Sequence, residues 1–247
     1  MTTPSSSGAC LVIGSGDGLG GSIARAFAAE GLVACLTRRP RHVDQLDALA
    51  KTITDAGGEA RAYGVDARSE TELAALVDRI EAEVGPLEVV VFNIGANVNF
   101  PITETTTQVY SKVWEMAALA GFLTGREAAR VMTPRGRGTI LFTGATASVR
   151  GGPGYAAFAG AKHALRALAQ SMARELGPKG IHVGHIVIDG PIMGEFIKSR
   201  LPDYDARVAA HRVLDPDEIA KNYVWLHKQA RSAWTHELDL RPWSETF

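Results

Sequence analysis

The chain is short of three things: cysteine, an excess of either charge, and long apolar runs. Only Cys10 and Cys35 are present among 247 residues. Both fall in apolar, strand-like stretches, so small buried thiols are expected rather than a disulfide. Lys and Arg number 26 against 27 Asp and Glu, a net charge of -1. That balance gives no reason to expect nucleic acid or a membrane surface as partner. No apolar run nears the roughly 20 residues needed to span a bilayer. The opening MTTPSSSGA lacks the basic and apolar parts of a secretion signal. Residues 1–8 are therefore expected to form a flexible polar tail on a cytoplasmic protein. No metal-ligand spacing stands out, and no metal is expected.

What is present is a repeated strand-then-helix pattern, which predicts an α/β domain with a mostly parallel sheet covered on both faces. Strand signals fall at ACLVIG (9–14), LVACLT (32–37), EARAYGV (59–65), LEVVVFNIG (87–95), GTILFTGA (138–145), GIHVGHIVI (180–188) and THELDL (235–240). Helices are expected between them. One begins at Ser69, spaced from Glu72 as a capping box. Another runs uninterrupted over about 105–133. A third holds GYAAFAGAKHAL (154–165) and ends near Leu176, and a fourth covers 215–229. The stretch 191–212 is expected to be mobile, with short helices. No repeat or linker divides the chain, so 9–247 is expected to be one domain.

The turn after the first strand, GSGDGLGG (14–21), is rich in glycine. Backbone N–H groups at a helix N-terminus attract pyrophosphate, and glycine lets the backbone approach closely. Gly16, Gly18 and Gly21 fit a G-x-G-x-x-G spacing; Gly14, Gly18 and Gly20 fit G-x-x-x-G-x-G. The strand-turn-helix context is the one a dinucleotide site requires. Within this turn Ser15, Asp17 and Leu19 are also candidate cofactor contacts. The second strand ends in Thr37-Arg38-Arg39 with no acid before Asp44. Arginine accommodates a ribose 2′-phosphate, so NADP(H) is favoured over NAD(H). Asp66, followed by Ala67, either caps a turn or accepts from an adenine amino group.

These features together resemble the short-chain dehydrogenase/reductase family: GSGDGLG, Asp66 after strand three, FNIGA (92–96) after strand four, and Lys162 on the helix after strand five. The resemblance implies a single-domain, Rossmann-like, doubly wound sheet of about seven strands. It further implies a nicotinamide dinucleotide at the strand ends and a homodimer or homotetramer. Gly14, Gly18 and Gly20 would line the pyrophosphate, and Asn93 and Gly95 would support the sheet beside it. Lys162 would hold the nicotinamide ribose, with Gly190 and Ile192 near the nicotinamide.

The chemistry departs from the family's Asn, Ser, Tyr and Lys. The position four before Lys162, where a proton-carrying tyrosine is expected, holds Phe158. Thirteen residues earlier, where serine is expected, stands Ala145. By hand alignment the asparagine position is Ala118. Tyr155 is a weak substitute, placed near the helix start. Thr143, Thr146, Ser148 and Asp189 stand close enough in the order of elements to touch a ligand. Gly194 falls where the family has a threonine. Two readings follow: an oxidoreductase with a non-standard proton route or substrate, acting on an unknown small molecule, or an inactive dinucleotide-binding sensor or scaffold subunit. At the C-terminus Trp243 and Phe247 are candidates for docking on a neighbouring subunit or for packing on their own domain.

Overall fold

The computed structural model describes residues 8–245. The expected tail therefore lies, apart from Gly8, outside the described residues, as does Phe247. Seven strands form one sheet: β1 (Ala9–Ile13), β2 (Val33–Arg38), β3 (Ala60–Gly64), β4 (Leu87–Phe92), β5 (Gly138–Thr143), β6 (Ile181–Ile188) and β7 (Glu237–Leu240). Their order is β3-β2-β1-β4-β5-β6-β7, and every pair is parallel. The order reverses between β1 and β4, the place where open α/β sheets bind ligands beyond the strand ends.

Side chains along each strand alternate between two cores. On one face Leu11, Cys35, Val90, Phe92, Ile140 and Phe142 meet α3 (Glu70–Glu83), α5 (Ala120–Met132) and α6 (Ala156–Leu176). On the other, Cys10, Val12, Leu36, Val91 and Ile186 meet α1 (Leu19–Ala29), α2 (Val43–Asp55) and α9 (Pro216–His227). Cys10 and Cys35 thus face opposite cores as free thiols. Burial raises both, Cys35 to about 12, so neither is a reactive thiolate.

Three local expectations change. α1 begins at Leu19, inside the stretch 14–21 expected to be a turn, and takes the glycine pair Gly20-Gly21 into its first turn. A Cβ on Gly20 would sit 2.2 Å from the Gly14 carbonyl oxygen, so glycine is required for this close entry. The long helix 105–133 is divided: α4 (Thr107–Trp114) and α5 are joined by a π-turn at Glu115–Leu119. The capping box is half formed. Ser69 Oγ accepts from Glu72 N at 3.3 Å, whereas the Glu72 carboxylate accepts from Asp66 N instead.

Within 191–212 lie two short helices, α7 (Glu195–Lys198) and α8 (Tyr204–Ala209). The segment is pinned at its root by a parallel bridge between Ile192 and Leu214. No described helix is long and apolar enough to cross a membrane, and no described group of three metal-ligating side chains is assembled.

Candidate functional site

At the carboxyl ends of β1, β2 and β4 the chain forms a cleft of about 280 Å³. Its floor is the glycine turn. Gly14 has φ +95, a left-handed conformation that disfavours any Cβ, and a Cβ there would meet the Asn93 carbonyl oxygen at 3.0 Å. Asn93 Nδ2 in turn donates to the Gly14 carbonyl at 3.2 Å, tying β4 to the turn. Gly16 and Gly18 face open space, where a Cβ would find no atom within 4 Å. This is a cradle with room for a bulky anion against backbone N–H groups.

Of the candidate cofactor residues, Gly14, Arg38, Arg39, Asp66, Ala67, Asn93 and Gly95 line this cleft. Ser15 does not: it is buried, its hydroxyl donates to the Val12 carbonyl, and its N–H donates to Thr37 O. It shapes the turn. Asp17, Gly18, Leu19, Gly20, Gly190 and Ile192 also lie outside the lining. Asp17 is exposed and stands 4.0 Å from Arg38, while Leu19 is buried at the start of α1. Of the two roles weighed for Asp66, the turn is present in the fold, and the residue also lines the cleft. Its carboxylate accepts from Arg68 N and pairs with the Arg68 guanidinium at 2.6 Å. The hydrogen bond from Arg68 holds it below the ordinary carboxylate range.

Sequence reasoning missed His42, Arg68 and Met116, which line the same cleft. The adjacency of the first two to Arg39 and Asp66 was a usable signal. Met116 depends on the π-turn, which the apolar spacing did not reveal. Arg38, Arg39, Arg41, His42 and Arg68 gather around the far end of the cleft. Lost hydration, then Arg41 and Arg68, lowers the pKa of Arg39; lost hydration, then Arg38 and Arg41, lowers that of His42. The group is a cationic cluster in which Asp66 and Glu115 pair with Arg68 and Asp17 stands 4.0 Å from Arg38.

The other end of the site lies where β5, α6 and β6 meet. Lys162 is 2% exposed. Its Nζ donates to Thr143 O at 2.8 Å and Ile94 O at 3.0 Å, bridging the ends of β5 and β4. Burial pushes its ammonium down to about 7. Phe158 lies one helical turn away, its ring centroid 5.9 Å from Nζ. Phe158 packs with Ala147 and Ala159 while Ala145 and Tyr155 close the cluster. Ala118, inside the π-turn, packs instead with Ala117, Val113, Ala157 and Ala161. The positions where proton carriers were expected, 118, 145 and 158, are therefore hydrocarbon, with the Tyr155 phenol at the edge of the cluster.

The neighbouring hydroxyls are engaged elsewhere. Thr143 Oγ1 shares a hydrogen bond with Tyr223 at 2.7 Å, and Ser148 Oγ accepts from Ala145 N. Thr146 Oγ1 donates to the buried carboxylate of Asp189 at 2.6 Å, which also stands 3.6 Å from Arg150 and Arg241. Tyr155 caps α6 and lines a second cleft of about 560 Å³, together with residues 97–100 and the α7 region. Its hydroxyl has no hydrogen-bond partner among the described residues. His163 is exposed on α6, and the ring of Trp243 is 77% exposed, with its Nε1 donating to Ala210 O. Between the two clefts Ala96 holds φ +59, a strained conformation for a residue with a Cβ.

Comparison with known proteins agrees with this geometry. The profile of a family described as enoyl-(acyl carrier protein) reductase matches residues 13–237. YuxG of Bacillus subtilis, described as an uncharacterized oxidoreductase, is 29% identical over 86% of this chain. The chain spans only 31% to 64% of the length of the first curated relatives it matches. Among solved structures, a short-chain dehydrogenase from Rhodopseudomonas palustris is 48% identical, with TM-score 0.82, covering 96% of this chain and 99% of its own. A 7α-hydroxysteroid dehydrogenase solved with NADH and an actinorhodin polyketide ketoreductase solved with NADPH are each 25% identical, with TM-score 0.86. Each of the two covers 98% of both chains.

Proposed function

The chain belongs to the short-chain dehydrogenase/reductase family, and from that premise we propose that it is an NADP(H)-dependent oxidoreductase for a substrate needing no proton from the protein. Solved relatives that hold NADH or NADPH support a nicotinamide dinucleotide. Preference for the phosphorylated form rests on Arg38 and Arg39 in the cleft lining, with no carboxylate at the end of β2. In this reading the N–H groups at the start of α1, from Gly18 onward, face the pyrophosphate, while those of Gly14 and Gly16 are spent within the turn that Asn93 holds in place. Lys162, with two of its donors on carbonyls, keeps the third for a ribose hydroxyl. When bound, the reduced nicotinamide supplies hydride.

The observation that carries the reaction class is the hydrocarbon wall of Phe158, Ala145 and Ala147. A ketone that accepts hydride becomes an alkoxide and must take a proton. Without a positioned acid that step loses roughly 10²–10⁴-fold. An iminium differs: hydride adds to carbon, the C=N⁺ π-pair becomes the nitrogen lone pair, and no proton moves. A cyclic iminium is therefore the favoured substrate type. Self-association into a homodimer or homotetramer is part of the same proposal. It is supported by the exposed Tyr110, Trp114, Leu119 and Phe122 along residues 107–122, and sedimentation velocity reads it directly.

The test offers purified protein matched carbonyl, imine and enone compounds with NADPH and with NADH. The expected result is NADPH-dependent imine turnover with ketone turnover at least tenfold slower. Tight NADPH binding without turnover of any compound would contradict the proposal and point to the sensor or scaffold alternative.

A further inference from the structure

The cleft lined by Tyr155 is apolar for most of its surface. Val98, Phe100, Phe196 and Ile197 form its walls, and one formal charge, Arg200, enters it. None of its ten lining residues carries a carboxylate. The guanidinium carbon of Arg200 stands 3.6 Å from the centroid of the Phe196 ring, and Nη1 donates to the Phe196 carbonyl at 3.0 Å. A guanidinium has five N–H donors. One internal hydrogen bond leaves most of them for a ligand, and the contact with the ring holds the group at the cleft wall.

The acids nearby are otherwise occupied or out of reach. Asp203 holds Arg207 at 2.8 Å, and Glu195, on α7, makes no ion pair with Arg200 among the described residues. An exposed arginine held against a ring at the edge of an apolar cleft, with no ion pair to a described acid, is complementary to a planar anion that brings two oxygens. We infer that the substrate carries a carboxylate on an apolar body, with the carboxylate on Arg200 and the body between Phe100 and Phe196. The inference rests on the reading that this cleft, joined to Phe158 through Tyr155, is the substrate pocket of a dinucleotide enzyme.

Binding of naphthoate and of naphthamide, read from their own fluorescence, tests it. The two probes share a body and differ in charge. NADPH binding is measured first and separately, and the probes are then titrated with the cofactor at saturation. The wild type is expected to bind naphthoate about tenfold more tightly than naphthamide. Arg200→Gln should abolish that preference while leaving naphthamide affinity unchanged. Arg200→Lys should keep part of it, and Arg207→Gln all of it. Equal binding of the two probes by the wild type, or a preference that survives Arg200→Gln, would overturn the inference. Failure to bind NADPH would overturn the dinucleotide reading instead. The probe titration without cofactor would then still decide the role of Arg200.

Discussion

Phe158 differs from tyrosine by one oxygen atom, and the chemistry of the site turns on it. If the surrounding geometry is that of a working carbonyl pocket, restoring hydroxyls should restore carbonyl chemistry. Phe158→Tyr with Ala145→Ser is expected to raise kcat/KM for a simple ketone with NADPH by roughly 10²-fold or more. Steady-state kinetics that show no gain would mean the pocket differs by more than its missing hydroxyls. Lys162 yields a second test. With its folded value near 7, the unfolded chain holds a proton above that pH that the folded chain lacks. Stability therefore rises with pH from about 7 toward the ordinary lysine value of about 10.4, and is lost as pH falls back through that window. Urea unfolding should show wild type gaining about 2 kcal/mol over Lys162→Met between pH 7 and pH 9. A constant difference would mean that Lys162 stays charged. The Phe158–Lys162 pair was legible because a four-residue helical spacing needs no tertiary information. Arg200 was not, because the segment around it has no periodicity. The engagement of Thr143, Thr146 and Ser148 was hidden for a different reason. Two of those partners, Tyr223 and Asp189, stand 80 and 43 residues away.

At the scale of elements, strand and helix order could be read from alternating apolar patterns, and all seven strands lie where those patterns put them. What escaped were the junctions. A π-turn adds one residue to a turn without disturbing apolar composition, so the division of the long helix left no trace in the sequence. It nevertheless places Met116 on the cationic cleft and Ala118 against α6. The helix that follows packs tightly through Gly121, where a Cβ would lie 2.4 Å from Leu165 Cδ1 and 3.3 Å from Phe92. Gly121→Val is expected to destabilise the fold by roughly 1–3 kcal/mol through overpacking. An unchanged denaturation midpoint would mean that α5 and α6 can separate at little cost.

For the whole molecule, a single parallel sheet brings two clefts to one edge: a cationic one over β1, β2 and β4, and an apolar one over α6 and α7. A ligand that binds only the folded chain stabilises it by about 2.7 kcal/mol at a hundred times its dissociation constant. For a chain of this size that corresponds to roughly 5–10 °C in Tm. NADPH is expected to produce such a shift and NADH a smaller one at equal concentration. Arg38→Gln with Arg39→Gln should remove the difference. Equal shifts in the wild type would place the arginines outside cofactor choice. Hydride transfer without a proton from the protein is read from the solvent isotope effect on single-turnover reduction of a cyclic iminium by NADPH. The expected rate in D2O is close to that in H2O, together with transfer of the label from deuterated cofactor to the iminium carbon. A markedly slower rate in D2O, or no transfer of label, would contradict it.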